Sequence, residues 1–191
     1  MRIRMRDLGE GDGRVLAGAI NGRKALLRLL EQTGREPDRP ETVFLDFDGV
    51  DVATASFLRE AVLEFRDAVR RRRSNLYPVV ANASDLVAEE LRVLVARRGN
   101  VLMLCSLDEN GEPHKPHLAG ELDPKQRLTF DLVSERGETD AAELMREYGA
   151  NEKPIAQTAW NNRLASLTRL GLLVESSQGR AKRYRPLFRE R

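Results

Sequence analysis

"TVFLDFDGVDVATASFLREAVLEF", residues 42–65, changes its hydrophobic period halfway along. The run TVFLDF is short, apolar and rich in strand formers, so it reads as a buried strand. The turn residues of DGVD follow. From Thr54 the spacing becomes helical, and Phe57, Val62, Phe65 and Val69 fall near one face as core candidates. A buried strand feeding an amphipathic helix is the unit from which α/β sheets are built.

The flanking segments repeat the alternation. Upstream, MRIRMRDL alternates apolar and basic residues like an edge strand. RVLAGAINGRKALLRLLEQTG reads as an amphipathic helix, with Leu16, Ile20, Leu27 and Leu30 toward the core and Gly34 at its end, and TGREPDRPE is loop. Downstream, LYPVVAN is a strand and SDLVAEELRVLVARRG a helix, capped by Ser84 or Asp85 and stopped by Gly99. NVLMLCSL and EPHKPHLAGEL flank the turn DENG as a hairpin. RRRR at 70–73 ends a predicted helix, where cations oppose the helix dipole.

From Asp123 the strands give way to short helices. DPKQRLTFDLVSER begins with Asp123 as N-cap and Pro124 in the first helical position. TDAAELMREYG is a second helix, capped by Thr139 or Asp140 and followed by Gly149. TAWNNRLASLTRLG is a third, and LLVESSQGRAKRYRPL then alternates as two strands around a Ser/Gln/Gly turn. The pattern predicts an α/β sheet-and-helix domain over residues 1–121 and a mainly α domain over residues 122–191.

Composition and charge narrow the function classes. The 191 residues are 41% hydrophobic and 32% charged, the balance of a soluble globular chain. No apolar run approaches the ~18 residues needed to span a bilayer, so no membrane association is expected. The first residues lack the apolar stretch of a secretory signal, and Cys105 is a single cysteine. Both features favour the cytoplasm. The net charge of +2 hides an asymmetry: residues 1–122 hold 19 basic against 20 acidic residues, whereas residues 153–191 hold 9 against 2, a net of +7. That concentration points to an acidic partner, double-stranded DNA first.

The third helix of the C-terminal half suits such a partner. Trp160, Leu164 and Leu167 share one face, and Thr158, Asn162, Ser166 and Arg169 lie roughly opposite, with Asn161 at the flank. Amide and guanidinium groups can pair with base edges or bind phosphate. Gln157 and Thr158 at the helix start are placed to donate to phosphate oxygens. Behind the helix, Gly171 permits a turn, Leu172 and Val174 pack beneath, and Gly179 forms a hairpin tip. Arg180, Lys182, Arg183 and Arg185 supply cations for phosphate. Residues 123–187 resemble winged helix-turn-helix regulators, in which "NRLxxLxxLGLL" runs into a basic wing ending near "YRP". That resemblance implies a third helix and a wing that contact DNA.

Two readings compete for residues 42–65. VFLDFDG has the D-x-D-G of haloacid dehalogenase-type phosphotransferases. In that likeness Asp46 would be nucleophile and Mg²⁺ ligand and Asp48 acid/base, with Ser106 and either Lys115 or Lys125 completing the site. No apolar strand ending in paired acidic residues follows, so the set is incomplete. The longer VFLDFDGVDVATASFLREAVLEF, with LAGAINGRKALLRLL upstream, resembles STAS-like domains, related to anti-sigma-factor antagonists and to a bacterial family of unknown function. This likeness spans residues 1–120 and implies a sensing, dimerising or partner-binding module. It also implies a regulatory phosphosite at Ser56, although Phe57, Ala55 and Thr54 depart from the usual Gly, Ser and Asp. Capping by Thr54 or Ser56 is the simpler role.

The remaining constellations are weak. His114 and His117 with Cys105 lack a fourth zinc ligand, and GEGDGR (9–14) lacks the Lys-Ser/Thr of a phosphate loop. No cofactor and no metal are expected. The sequence therefore predicts a DNA-binding transcription regulator without enzymatic activity. A homodimer is expected, because a pair of winged helices reads symmetric half-sites, and the N-terminal domain is open to a regulatory protein partner. A protein–protein adaptor is the alternative, followed by a Mg²⁺-dependent phosphatase.

Overall fold

The structure, a computed structural model, describes residues 1–148, 155–178 and 181–188. The chain divides into two compact units, Met1–Glu121 and Leu122–Arg191. The first is mixed α/β. Its elements are β1 (Arg2–Arg4), β2 (Val15–Leu16), α1 (Ala19–Gln32), β3 (Glu41–Asp46), β4 (Val52–Ala53), α2 (Ala55–Leu58), α3 (Glu64–Arg71), β5 (Leu76–Ala81), α4 (Asp85–Ala96), β6 (Leu102–Leu107) and β7 (Pro113–Ala119).

The main sheet has the order β1-β3-β5-β6-β7, parallel from β1 to β6, with β7 antiparallel to β6. Each parallel step needs a crossover helix, and successive steps in one direction put those helices on one face of the sheet. Alternation along the strands fills the space between. Val43 and Leu45 of β3, Val80 of β5, and Leu102 and Leu104 of β6 point into one core with Phe57, Leu58, Val62, Phe65 and Leu91. All four helix positions expected inside, Phe57, Val62, Phe65 and Val69, are buried.

The second helix is interrupted. Between α2 and α3, Arg59–Leu63 form a π-helical turn whose Ala61, Val62 and Leu63 are all buried. The arginines at its far end are partly structural. Arg70 is buried, donates to the Ser74 and Leu76 carbonyls at 2.7 and 3.0 Å, and lies 4.1 Å over the Tyr77 ring. Arg71 and Arg72 donate to Asp67 and Ala68 carbonyls of the last turn, as cations at a helix C-terminus do.

Three expectations need correction. MRIRMRDL is not one strand: β1 ends at Arg4, and Met5–Leu8 form a 3₁₀ turn that buries Met5 and Leu8. The first helix starts at Ala19, after Gly18 at φ 83°, so Leu16 is not helical; it is buried in β2, paired with Ala53 of β4. The core face of α1 also differs. Ile20 and Leu27 are exposed, whereas Gly22, Ala25 and Leu29 are buried. The reason is close helix packing: a Cβ on Gly22 would lie 2.8 Å from the Phe57 carbonyl oxygen and 2.9 Å from Glu60 Cβ. The contact is made by small residues, which hydrophobic periodicity does not mark.

The second unit holds α5 (Pro124–Arg136), α6 (Ala141–Tyr148), α7 (Gln157–Arg169) and an antiparallel ribbon of β8 (Leu173–Gln178) and β9 (Ala181–Pro186). Asp123 caps α5 in a capping box with Gln126, and Pro124 takes the first turn. Asp140 caps α6 through the Ala142 and Glu143 amides. Gly171, at φ 79°, turns the chain out of α7. Helix α7 packs against α5, α6 and β8, and Leu132, Val133, Leu144, Trp160, Leu164, Leu167, Leu172 and Tyr184 are buried. Gly149 and Gly179 lie outside the described residues. Among the described residues, no helix is long and apolar enough to cross a membrane.

Candidate nucleic-acid interface

Helix α7 separates its side chains into two faces. Trp160, Leu164 and Leu167 are each 0% exposed, and the Trp160 ring meets Tyr148 at a centroid distance of 6.4 Å. The Arg163 guanidinium stands 5.0 Å over the indole. On the opposite face Thr158, Asn162 and Arg169 are exposed, as are Asn161 at the flank and Gln157 in the first turn. No acidic residue occurs between Gln157 and Arg169. The outward face is thus a row of amides and a hydroxyl ending in a guanidinium, with no carboxylate to repel an anion. Ser166 differs from the other outward residues: it is half-buried, and its Oγ accepts from Gln126 Nε2 at 3.0 Å, tying α7 to α5.

The ribbon cations occupy different environments. Lys182 is exposed and pairs with Glu175 at 2.7 Å. Arg185 is half-buried and donates to the Pro186 carbonyl at 3.4 Å. Arg180 lies outside the described residues. Arg183 is engaged by acid: Nη1 meets Glu143 Oε1 at 2.6 Å and Asp140 Oδ2 at 3.2 Å, and Nη2 meets Glu138 Oε2 at 4.0 Å. Its hydrogen bond holds the Glu143 carboxyl below the ordinary glutamate value, and the same bond raises the guanidinium. Tyr184, beside it, is pushed up to about 12 by burial and by the Glu175 carboxylate. Charge counting misses this acidic clamp. The D-x-x-E spacing of Asp140 and Glu143, a capping-box signature, was the one local sign of it.

In the first unit, the carboxylate that the dehalogenase likeness would make catalytic is closed off. Asp46 is 0% exposed; Oδ2 accepts from Arg2 Nε and Nη2 at 2.7 and 2.6 Å, and Oδ1 accepts from Asn82 Nδ2 at 2.8 Å and the Asp48 amide at 3.1 Å. A nucleophile or metal ligand needs an oxygen free to face its substrate, and here both oxygens are used to tie strand ends together. Asn82 extends the network by accepting from the Leu107 amide at 2.8 Å. Asp48 is exposed and joins it through its backbone amide. Cys105 is buried, and burial with the Asp46 charge pushes its thiol up to about 12, a poor ligand or nucleophile.

Ser56 is half-buried beside the helix cap. Thr54 Oγ1 accepts from the Phe57 amide at 3.4 Å, which makes Thr54 the N-cap, and lies 3.1 Å from Ser56 Oγ. Glu90 reaches in from α4 and accepts from the Ala55 amide at 3.1 Å. One of the amides that would welcome a phosphate therefore already faces a carboxylate, and added charge would meet its like. Ser106 and His114 pair across the β6–β7 hairpin, while Lys115 and His117 are exposed on β7 and Lys125 on α5. They do not join Asp46 in any bonded cluster among the described residues. No group of three or more His, Cys, Asp or Glu able to hold a metal ion occurs there either. No protein-family model matches this chain, and no curated protein matches it in sequence.

Proposed function

We propose that the chain is a cytoplasmic, non-enzymatic DNA-binding regulator, with a STAS-like domain over residues 1–121 and a winged helix-turn-helix domain over residues 122–191. The observation that carries the reading is the outward face of α7. Gln157, Thr158, Asn161, Asn162 and Arg169 are exposed on a helix fixed from behind by Trp160, Leu164 and Leu167, and no carboxylate interrupts them. Three helices followed by an antiparallel ribbon carrying Lys182 and Arg185 support the same reading, as does the net charge of +7 over residues 153–191. In it, α7 enters the major groove and the ribbon follows the phosphate backbone. The first unit serves dimerisation or a protein partner. Val15 and Val52, register partners in the small β2–β4 ladder, are 57% and 39% exposed there, an apolar surface of the kind partners cover.

The test is equilibrium binding of the full chain to a fluorescently labelled, mixed-sequence duplex across a salt series. Non-specific affinity in the range of about 10⁻⁴ to 10⁻⁶ M, with log K falling linearly in log salt, is the expected result. Absence of salt-dependent binding would remove the reading in favour of an adaptor.

A further inference from the structure

Arg183 sits where its charge is cancelled. Three carboxylates, Glu138, Asp140 and Glu143, lie 2.6–4.0 Å from its guanidinium nitrogens, and its side chain is 20% exposed. The group as a whole carries an excess of negative charge. A phosphate brought to Arg183 would enter the field of all three acids. The same residues perform a second task. Glu143 Oε2 accepts from the Thr139 hydroxyl at 3.0 Å and from the Asp140 amide at 3.2 Å, closing the start of α6, while Oε1 takes Arg183. Thr139 and Tyr184 exchange both backbone bonds, at 2.9 and 2.8 Å, so the residue before the α6 cap adds a third strand position beside β9. Thr139 and Tyr184 are 0% and 3% exposed. The guanidinium therefore bridges the free edge of the ribbon to the first turn of a helix.

We propose that Arg183 is a positioning residue: it fixes the β8–β9 ribbon to the N-terminus of α6 through Glu143, Asp140 and Glu138, and the ribbon's described phosphate contacts are Lys182 and Arg185. The inference rests on the DNA-binding reading for its effect on affinity, but the latch itself is independent of it. Lys182 is itself 52% exposed, and among the described residues its ion pair is with the one half-buried carboxylate of Glu175, which a phosphate can replace at little cost on so exposed an ammonium. Arg183 would have to give up three contacts at once.

The experiment compares Arg183→Met, Arg183→Lys and Lys182→Ala in the full chain, by amide hydrogen exchange and by duplex affinity across a salt series. For Arg183→Met, exchange at the Thr139 and Tyr184 amides should accelerate about tenfold or more, the scale of one lost charge-assisted bond. Affinity should fall while the slope of log K against log salt stays at the wild-type value. Arg183→Lys keeps the charge but loses the fork, and should show intermediate exchange and an unchanged slope. For Lys182→Ala the slope should shallow by about 0.9 with exchange at Thr139 and Tyr184 retained. An Arg183→Met slope shallower by about 0.9 with full protection would overturn the proposal and make Arg183 a phosphate contact. If the wild-type chain shows no DNA affinity, the functional reading fails by itself. The exchange data alone then decide the latch, and unchanged protection in Arg183→Met overturns it.

Discussion

Replacing Asp46 tests whether this carboxylate holds the sheet together or does chemistry. Its two oxygens accept four bonds, from Arg2 Nε and Nη2, Asn82 Nδ2 and the Asp48 amide, and it is 0% exposed. Asp46→Asn keeps Oδ1, and with it the Asn82 and Asp48 contacts, but turns an NH₂ toward Arg2. The Arg2 side chain is 39% exposed, so water recovers part of that loss. The expected cost is about 1.5–3 kcal/mol, the scale of a hydrogen bond to a charged group. Asp46→Ala removes every acceptor and takes the partner from all four donors, at about 3–5 kcal/mol, as for one partner removed from a buried pair. With an m-value of about 2 kcal/mol/M, the urea midpoint should fall by roughly 1 M for Asn and roughly 2 M for Ala. Far-UV circular dichroism follows the whole chain, and Trp160, the single tryptophan, reports the second unit separately. An Asp46→Ala midpoint equal to wild type would refute the structural role. So would phosphate-ester turnover by the wild type that Asp46→Asn abolishes with its stability intact.

Other perturbations probe the remaining joints. Gly22→Val should open the α1–α2 contact and cost about 1–3 kcal/mol by overpacking, since a Cβ there meets the Phe57 carbonyl at 2.8 Å; a melting temperature equal to wild type would contradict that packing. Glu143 titrates below its ordinary value in the folded chain because Arg183 donates to it. Its share of stability is therefore present above the unfolded glutamate value and lost as pH falls through the folded one. The Trp160 unfolding midpoint should drop on acidification below about pH 4.5, and less steeply in Glu143→Gln; identical pH profiles would rule the linkage out. Ser56→Asp should lower the urea midpoint because Glu90 already faces that helix start, whereas the same change with Glu90→Gln should be tolerated; equal losses in both backgrounds would show that Glu90 is not the cause.

How much of this was legible depended on whether the controlling contact is local. The caps at Ser84 and Asp123, the buried positions Phe57 to Val69, and the Trp160–Leu164–Leu167 stripe follow from residues a turn or two apart, so spacing reveals them. The core face of α1 is hidden from hydrophobic spacing because the small Gly22 makes the close contact and Ala25 is buried, while the larger Ile20 and Leu27 are exposed. The DFDG stretch was ambiguous because the same two carboxylates serve a reactive site or a structural one. The choice depends on Arg2 and Asn82, about forty residues away on either side and brought in by neighbouring strands. Arg183 looked like its neighbours for the same reason, since its acids precede it by about forty residues.

In the proposed function, α7 and the ribbon form the nucleic-acid surface. Titrating a short mixed-sequence duplex into uniformly ¹⁵N-labelled full chain and mapping the amide shifts tests it residue by residue. The largest shifts are expected at Gln157, Thr158, Asn161, Asn162 and Arg169, with Lys182 following and all of them collapsing as salt is raised. Shifts confined to residues 1–121, or no shifts at low salt, would contradict it.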